Sequence, residues 1–373
     1  AGAFFQGGEN LLVTPPDPLQ LGKLSPSIIE THPPRNYLLQ WNLNVQRQIT
    51  NDLSISAGYV GSHGVHMLIR GDDANMSSPA VQTPEGLLFP KTTQKINPAL
   101  GIMRYVYWGT DSFYDAMNIN IDKKMSHGLQ FQFAYTWAKS IDDNSSTIAG
   151  DTFGNGLNSL YHFAPKSLRG LSDFNVGQNI AVNVLYALPT PKSLNGFAKA
   201  AVGGWQLGTI MKYNNGVPTT VINNGDPALL SNGGADPFGI PDKIPGCDPI
   251  IHNFIGGTKP RYINAACYRN PTVAASSPTA AGCVNNFTGA AAPAPAGRVY
   301  CSNLVGNAGR NTLIGPKLLN FDFVATKNNY IRKISETFNV QFRAEIFNIF
   351  NRSNFNPPEP ANGAGIFVDD GSA

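Results

Sequence analysis

The chain is short of charge. Asp, Glu, Lys and Arg make up 14% of its 373 residues, whereas about 25% is usual in soluble domains. The formal net charge is only +3 and no basic cluster stands out, so we expect no nucleic-acid partner. Hydrophobic content is ordinary at 42%, and the missing charge is replaced by Asn, Gln, Ser, Thr and 38 glycines. This composition is unusual for a soluble enzyme.

Long apolar runs are also absent. No segment approaches the roughly 20 consecutive apolar residues of a membrane helix, which excludes a helical span. The opening residues, AGAFFQGGENLL, contain neither an initiating Met nor the basic-then-apolar pattern of a signal peptide. With a Pro-rich start and an end at GIFVDDGSA, the sequence favours the interpretation that this is a piece of a longer protein.

Catalytic motifs are missing too. The sequence has no G-x-S-x-G elbow, no H-E-x-x-H pair and no Walker-type loop. His63 and His66 are three apart, which on a strand puts them on opposite faces, so we do not expect them to share a metal. The other histidines are placed in a turn or in loops without ligand spacing: His32, His127, His162 and His252. We predict that the chain is not an enzyme and has no catalytic residues, metal site or cofactor.

Charged pairs are few, and each has an ordinary explanation. Asp142-Asp143, like Asp72-Asp73, is expected at a solvated strand-to-loop exit. Arg343 and Glu345 are two residues apart and therefore lie on one side of a strand. They are expected either to form a structural ion pair or to face a domain inside the barrel.

Cysteine is scarce and confined to one segment of 55 residues. The four cysteines are Cys247, Cys267, Cys283 and Cys301. None has the C-x₂-C spacing of a zinc site, so two disulfides in an oxidising compartment are favoured over four unpaired thiols. Among the three connectivities that four cysteines allow, we select the sequential one, Cys247 with Cys267 and Cys283 with Cys301.

What the sequence does contain is strict alternation. In HGLQFQFAYTWAKSIDD, five apolar side chains from Leu129 to Trp137 alternate with Gln130, Gln132, Ala134 and Thr136. Seven other segments repeat this period of two: RNYLLQWNLNVQRQI, LSISAGYV, AMNINIDKKM, NIAVNVLYALP, GGWQLGTIMKYNNG, LLNFDFVATKN and ETFNVQFRAEIFNIFN. Period two over eight segments predicts an all-β protein.

The connections between these segments alternate between short and long. We expect an N-terminal linker at 1–34, antiparallel strands within 35–350 and a C-terminal loop at 351–373 that lacks the final strand. The long loops are predicted at 70–112, 141–173 and 223–316, and a short helix is expected between the fifth and sixth segments. Tight turns on one side and long loops on the other are typical of an antiparallel up-and-down transmembrane β-barrel with periplasmic turns and extracellular loops.

The aromatic residues favour the same architecture. A soluble β-sandwich also alternates, with its apolar face turned to a dry core. In a barrel, aromatic side chains instead gather near the strand ends, where the hydrocarbon layer stops. Seven residues fit that position: Trp41, Tyr59, Tyr135, Trp137, Tyr186, Trp205 and Tyr213. We predict that they contact outer-membrane lipid and that the glutamine-rich face lines a watery lumen.

The segments NYLLQWNLNVQRQI, HGLQFQFAYTWAKSIDD, GNAGRNTLIGPKLLNFDFVATKN and FNVQFRAEIFNIFNRSNF resemble the C-terminal part of TonB-dependent receptors. The resemblance covers about residues 35 to 358 and is nearest to the Oar-like group, which carries a carboxypeptidase-regulatory-like domain. It implies a plugged barrel of about 22 strands in the bacterial outer membrane. It also implies a TonB-type energising partner that acts through the missing N-terminal part.

These observations lead to one expected function and two alternatives. The chain is expected to be part of a receptor for uptake, or export, of an unidentified bulky ligand. The Gly-, Asn- and Pro-rich stretch 223–316 is the expected ligand-contacting region. The first alternative is a secreted β-rich adhesion or glycan-binding protein, and the second is a passive porin.

Overall fold

The alternating segments form long β-strands in the computed structural model of the chain. The structure describes residues 25–71, 73–76, 81–91, 95–145, 165–193, 196–223, 239–252, 262–285, 293–330, 335 and 338–356. Numbered in chain order, the strands in these ranges are β1 Ser27–Ile29, β2 Tyr37–Thr50, β3 Leu53–Gly71, β4 Val81–Thr83, β5 Gly86–Leu88, β6 Arg104–Ser126, β7 Leu129–Asp142, β8 Gly170–Leu171, β9 Gln178–Ala187, β10 Trp205–Asn214, β11 Pro218–Thr219, β12 Asp242–Lys243, β13 Tyr268–Arg269, β14 Thr272–Ala274, β15 Arg298–Tyr300, β16 Leu313–Ile314, β17 Leu318–Tyr330 and β18 Asn339–Ile346. The described ranges also contain the helix α1, Gly196–Val202, and 3-10 helices at Pro165–Leu168, Ala265–Cys267 and Pro278–Gly282.

Eight strands form the wall of the molecule: β2, β3, β6, β7, β9, β10, β17 and β18. They hydrogen-bond in the order β18-β17-β10-β9-β7-β6-β3-β2, so each wall strand pairs with its neighbours along the chain. Every one of these pairings is antiparallel. The eight alternating segments of the sequence are the eight wall strands, which confirms the predicted up-and-down arrangement.

The wall has one apolar and one polar face, because directly paired residues point to the same side of a sheet. One row across β2, β3, β6 and β7 shows the apolar face: Leu43, Tyr59, Met117 and Trp137. The row one residue further along shows the polar face and extends to β9: Asn44, Gly58, Asn118, Thr136 and Asn179. The alternation seen within each segment therefore combines across the paired strands into two surfaces, one apolar and one polar.

The two ends of the wall differ in their connections. At one end, β6 and β7 are joined by His127 and Gly128, whose φ values of 51° and 79° are both positive, as a tight primed hairpin turn requires. β2 and β3 are joined there by Asn51 and Asp52, and β9 and β10 by a segment that contains the expected short helix α1. At the opposite end, the long loops after β3, β7 and β10 fold together. We call that region the cap.

The strands extend further than the sequence pattern indicates. The loop expected at 70–112 is shorter, because β6 begins at Arg104 rather than near residue 113. Residues 104–108, RYVYW, do not alternate, yet they have high β propensity and pair with β3 on one side and with β1 on the other. β1 itself lies in the segment expected to be a linker, 1–34, of which residues 1–24 are outside the described ranges.

The first and last wall strands are the two edges of the sheet. Within the described residues neither β2 nor β18 has a partner on its outer side. All 14 residues of β2 and all but one of the eight residues of β18 are exposed. The described strands therefore form an open sheet.

The cap has its own hydrophobic core, to which all three long loops contribute. Met76 and Phe89 come from the first loop, Leu168 from the second, and Ile240 and Leu313 from the third. A second, smaller cluster contains Leu88, Val273, Cys301 and Leu304. The cap is thus a packed unit rather than a set of independent loops.

Two disulfides lie within the third loop of the cap. They join Cys247 to Cys267 and Cys283 to Cys301, with Cα–Cα distances of 5.3 and 4.8 Å. This is the sequential pairing that the sequence analysis selected. Cys267 and Cys301 are fully buried, each in one of the two cap clusters.

Reduction of the disulfides should loosen the cap without unfolding the wall. They close loops of 20 and 18 residues, and loops of that length correspond to about 3 kcal/mol of stabilisation each. Limited proteolysis with and without reductant should show faster cleavage after reduction within 240–310, while fragments containing β6 and β7 stay intact. The double variant C283A/C301A should reproduce part of this effect. An unchanged cleavage rate after complete reduction would contradict the prediction.

Candidate functional site

The aromatic residues singled out in the sequence all lie on the apolar face. The pairing registers place there Trp41 of β2, Tyr59 of β3, Tyr135 and Trp137 of β7, Tyr186 of β9, and Trp205 and Tyr213 of β10. Trp137 is 59% exposed and Trp41 is 43% exposed, although both are large apolar side chains. An exposed aromatic surface of this extent marks a region of interaction with something apolar. Contact of these residues with lipid stays a prediction.

Charged residues limit the apolar face at both ends. On β6, Asp115 lies towards the cap and Lys123 towards the turns, with Met117, Ile119 and Ile121 between them. Asp115 accepts a hydrogen bond from the Tyr59 hydroxyl, whereas Lys123 forms an ion pair with Asp52. Eight residues of strand rise about 27 Å, or about 21 Å along a barrel axis at a tilt of about 40°, close to the apolar band of about 25 Å in outer-membrane barrels.

Aromatic and charged side chains also meet at the turn end of the apolar face. Trp205 lies 6.4 Å from the Phe342 ring in an edge-on arrangement, and the Lys327 ammonium lies 5.6 Å from the centre of the Trp205 ring. In addition, Lys327 donates a hydrogen bond to the carbonyl of Gly203. At this end Lys123 and Ser126 hold the pKa of Asp52 well below its usual range through hydrogen bonds. Lys327 and Trp205 thus combine a cation and an aromatic ring, as expected at a boundary between apolar and aqueous surroundings.

The polar face carries two adjoining shallow cavities. One, of about 400 Å³, is lined by Gln40, Asn42, Asn44 and Asn118, and the other, of about 290 Å³, by Gln132 and Asn183 among others. Asn120 lines both. Carboxamides supply most of the polar groups in both cavities. The polar face therefore offers hydrogen-bond donors and acceptors with little charge.

A buried ion pair fastens the cap to the end of β7. Arg310, from the third loop, contacts Asp142, the last residue of β7, and both side chains are less than 5% exposed. The same guanidinium donates a hydrogen bond of 2.9 Å to the carbonyl of Leu171, and Asp142 also accepts one of 2.7 Å from Ser145. These additional bonds satisfy part of the pair's hydrogen-bonding groups, while the buried Arg310 Nε has no partner among the described residues.

Asn311, the next residue, extends this junction. It has a φ of 57°, and its side chain donates hydrogen bonds to the Leu171 carbonyl and to Asp173 at 2.6 and 2.7 Å. The Thr220 hydroxyl donates to the Asn311 side-chain carbonyl at 3.0 Å. We call Asp142, Arg310 and Asn311, with these partners, the latch, because they join the second and third loops to the wall.

The expectation that Asp142 and Asp143 are solvated was wrong. Asp143 is fully buried and forms an ion pair of 3.3 Å with Arg169, while its other oxygen accepts the Asp111 backbone N–H. The adjacent carboxylates therefore anchor loops instead of entering solvent. Asp72 is outside the described residues, and Asp73 is buried and accepts backbone hydrogen bonds from Asn75 and Met103.

Within the cap, two carboxyl groups show the effect of burial. Burial raises the pKa of Asp242, although the backbone N–H of Thr272 and the charges of Arg269 and Arg298 oppose the shift. Burial also opposes ionisation of Glu85, but hydrogen bonds, among them those from Thr279 and Ser277, outweigh it and lower the pKa. Glu85 therefore links the first loop to the third in its charged form.

The histidines that the structure describes do not come together. His63 stacks on Phe113 with ring centres 4.0 Å apart, whereas His66, in a bulge with φ of 53°, contacts the Arg35 carbonyl at 3.2 Å. His252 pairs with Asp248, and His162 is outside the described residues. In the part of the chain that the structure describes, no three His, Cys, Asp or Glu side chains are grouped so that they could hold a metal ion.

Arg343 and Glu345 form the exposed ion pair that their spacing suggested, on the polar face of β18. The latch, by contrast, was not predicted. Arg310 and Asp142 are 168 positions apart, and nothing in the local sequence GNAGRNTLIGP indicates that its arginine is buried. A buried arginine is recognised only once the topology brings β7 and the third loop together.

Comparison with known proteins identifies the class to which this architecture belongs. Residues 10–368 match the family model described as outer membrane beta barrel domain. Because the match spans almost the whole sequence, the chain belongs to that family. The solved structures include a similar one, the outer membrane transporter YddB from Escherichia coli, at 10% identity and a TM-score of 0.34. That similarity covers 85% of this chain and 29% of the YddB chain, and none of the curated proteins matches.

The family membership places the chain in the bacterial outer membrane. Because outer-membrane barrels turn their apolar face outward, we expect the apolar face to contact lipid and the polar face to line the interior of an antiparallel barrel. The short turns lie on the periplasmic side and the cap on the extracellular side, as in other outer-membrane barrels. No helix within the described ranges is long and apolar enough to cross a membrane.

An arginine on the lipid side of β6 should destabilise the protein far more than one on the lumen side. Ile119→Arg places a cation near the middle of the lipid band, at a cost of about 2–4 kcal/mol, because hydrocarbon does not solvate it. Asn120→Arg, one residue further along, points to water and should cost under about 1 kcal/mol. Urea titrations of both variants in lipid vesicles, with heat-modifiable migration as the readout of folding, measure the difference in the free energy of unfolding. Equal destabilisation by both variants would show that the lipid and lumen faces of β6 are assigned incorrectly.

Removing the latch arginine should loosen the cap. Arg310→Met leaves Asp142 buried without its cation, which should cost about 3–5 kcal/mol. The matched control is Arg343→Met, which breaks an exposed ion pair worth under about 1 kcal/mol. Protease resistance of the cap in a urea series gives both values, and the double variant D142N/R310M should recover part of the loss. A cap as resistant in Arg310→Met as in Arg343→Met would refute the role of the latch.

Proposed function

We propose that this chain forms eight wall strands of an Oar-like TonB-dependent receptor that moves a bulky ligand across the outer membrane. The observation that carries the proposal is the open sheet. β2 and β18 expose their outer backbone groups among the described residues, and lipid offers no hydrogen bonds to satisfy them. The eight strands therefore need further strands to complete a barrel.

The polar face supports a large barrel rather than a small one. A closed barrel of about eight strands has an interior that its own side chains just fill. Here the polar face instead carries exposed amides and two cavities of about 290 and 400 Å³. Such a surface suits a wide lumen that holds water, a plug or a ligand.

In the proposed mechanism the cap and the lumen wall recognise the ligand, and an inner-membrane partner supplies the energy. The packed cap, with its disulfides and latch, presents a rigid outer surface. The TonB-type partner acts through an N-terminal part of the receptor, and movement of a plug opens the lumen. Uptake is the expected direction, with export as its alternative. The wall itself takes no part in catalysis and needs no cofactor.

The first test of this function is the size and location of the native protein. Antibodies raised against the cap should detect, in the outer-membrane fraction, a chain well above the 40.0 kDa of this sequence. Detergent should be needed to extract it. A soluble protein of 40.0 kDa would overturn the proposal. A complete outer-membrane protein of that size would indicate a small barrel such as a passive porin.

Energy dependence is the second test. Cells that express the full receptor should lose accumulation of its ligand when the TonB-type gene is deleted or a protonophore is added. Cell-surface binding should persist, because recognition by the cap and the wall does not require energy. Accumulation that is unaffected by both treatments would indicate passive diffusion and contradict the proposal.

A further inference from the structure

The polar face contains a strip of carboxamide side chains that is interrupted at β3, which supplies none. It crosses five neighbouring strands, β2, β3, β6, β7 and β9, and we call it the amide strip. Its members line the two cavities: Gln40, Asn42, Asn44, Asn118, Asn120, Gln132 and Asn183. Neighbouring strands lie about 4.8 Å apart, so the amides of the successive strands β6, β7 and β9 can contact one extended ligand at closely spaced points, and those of β2 lie beyond β3.

The strip is open at β3, where Gly58 supplies no side chain. Gly58, between Asn44 and Asn118 in the same row, lines the larger cavity. A Cβ at Gly58 would be 3.4 Å from the Leu43 carbonyl, in contact with the wall itself. Few bonds join the amides to the wall. Asn120 donates to the Ser56 hydroxyl at a long 3.4 Å, and Asn118 accepts from the Thr136 hydroxyl at 2.9 Å.

The strip is nearly uncharged. Asp122, beside the smaller cavity, is the one charged residue that lines either cavity. Lys212 lies on β10, and the ion pair of Arg343 and Glu345 lies on β18, outside the strip. Lys212 pairs with Ala181, which lines the smaller cavity, so an anionic ligand such as a phosphate ester or an acidic chelate would find one cation, at the β10 edge of the strip. A cation would find a single carboxylate.

Carboxamides suit a ligand whose groups both donate and accept hydrogen bonds. Each amide has two N–H donors and a carbonyl with two lone pairs, and a hydroxyl group is likewise donor and acceptor. An extended peptide, by contrast, binds sheets by adding to a free edge. Four of the five strands under the strip, β3, β6, β7 and β9, are paired on both sides. Peptide backbone therefore cannot bind them in that way.

An aromatic residue lies at the cap end of the strip. Tyr114 of β6 is on the polar face, in the same row as Gln40 and Ser62. Aromatic rings pack against the C–H faces of sugar rings, while amides bind the hydroxyl groups. The combination of a neutral amide surface with a terminal tyrosine corresponds to sugar chemistry.

We propose that the amide strip binds a neutral, linear oligosaccharide inside the barrel. The inference rests on the proposed function only in that the strip must face an accessible lumen. It specifies the ligand class that the receptor takes. Binding depends on many single hydrogen bonds to side-chain amides, with no ion pair.

The test uses the full outer-membrane protein that contains this chain, solubilised in detergent. It is applied to a printed array of neutral oligosaccharides, anionic oligosaccharides and peptides, and the strongest binder is then titrated by calorimetry. Neutral oligosaccharides should be bound. The double variant N118A/N120A should weaken their Kd at least tenfold, and Asn120→Asp, which keeps the shape but adds charge, should weaken it at least fivefold.

Gln341→Ala is the matched control, since Gln341 is an amide on the polar face of β18, outside the strip. It should change the Kd less than twofold, and all variants should keep wild-type heat-modifiable migration. Binding confined to anionic glycans or peptides, no binding to the array, or binding insensitive to N118A/N120A would each overturn the proposal. No energising partner is present in this assay, so a failure of energy-dependent transport in cells does not affect its result.

Discussion

The structure depends on one constraint, which is that every backbone N–H and C=O group within the hydrocarbon layer must have a hydrogen-bond partner in the protein. Antiparallel pairing meets this requirement for the six inner wall strands, each of which has a neighbour on both sides. It is not met at the outer sides of β2 and β18 among the described residues. The completed barrel is therefore a physical necessity for this sheet, and the wall strands acquire their stability as members of it.

The same constraint separates the two faces. Because pairing fixes the direction of every side chain, a single shift of register would turn the whole apolar set of a strand to water. The strict alternation from Leu129 to Trp137 is therefore a consequence of having lipid on one side and a lumen on the other. On the described wall strands, charged residues such as Asp115 and Lys123 lie on the apolar face near its two ends. Because most of the wall lies between these two ends, few of its positions accept a charged residue, and this explains the low overall charge of the chain.

The alternation was sufficient to predict the wall strands and the face on which Trp41, Trp137 and Trp205 lie. In a strand, the face that a side chain occupies is set by its position relative to its immediate neighbours in the chain, so the sequence alone reveals it. It did not predict that β6 begins at Arg104, because residues 104–108 pair on both sides without alternating. It also misassigned Asp142 and Asp143, whose burial depends on Arg310 and Arg169. Burial of a charged residue is set by partners that are distant in sequence, and a single sequence does not reveal which distant residues meet.

The chemistry of the lumen wall is consistent with passage of a ligand as well as with its binding. A neutral hydrogen bond exchanged with water contributes a net of only about 0.5–1.5 kcal/mol, so a ligand can release one amide while it holds others. Ion pairs in a confined lumen would be stronger and would hold a charged ligand at one place. Conduction requires binding that is favourable enough for entry and divided over enough sites for exit. If the wall conducts a ligand as proposed, its Asn, Gln, Ser and Thr side chains around Asn120 suit both requirements. Among the described residues the buried ion pairs lie instead in the cap, where Arg310 and Asp142 hold two loops together.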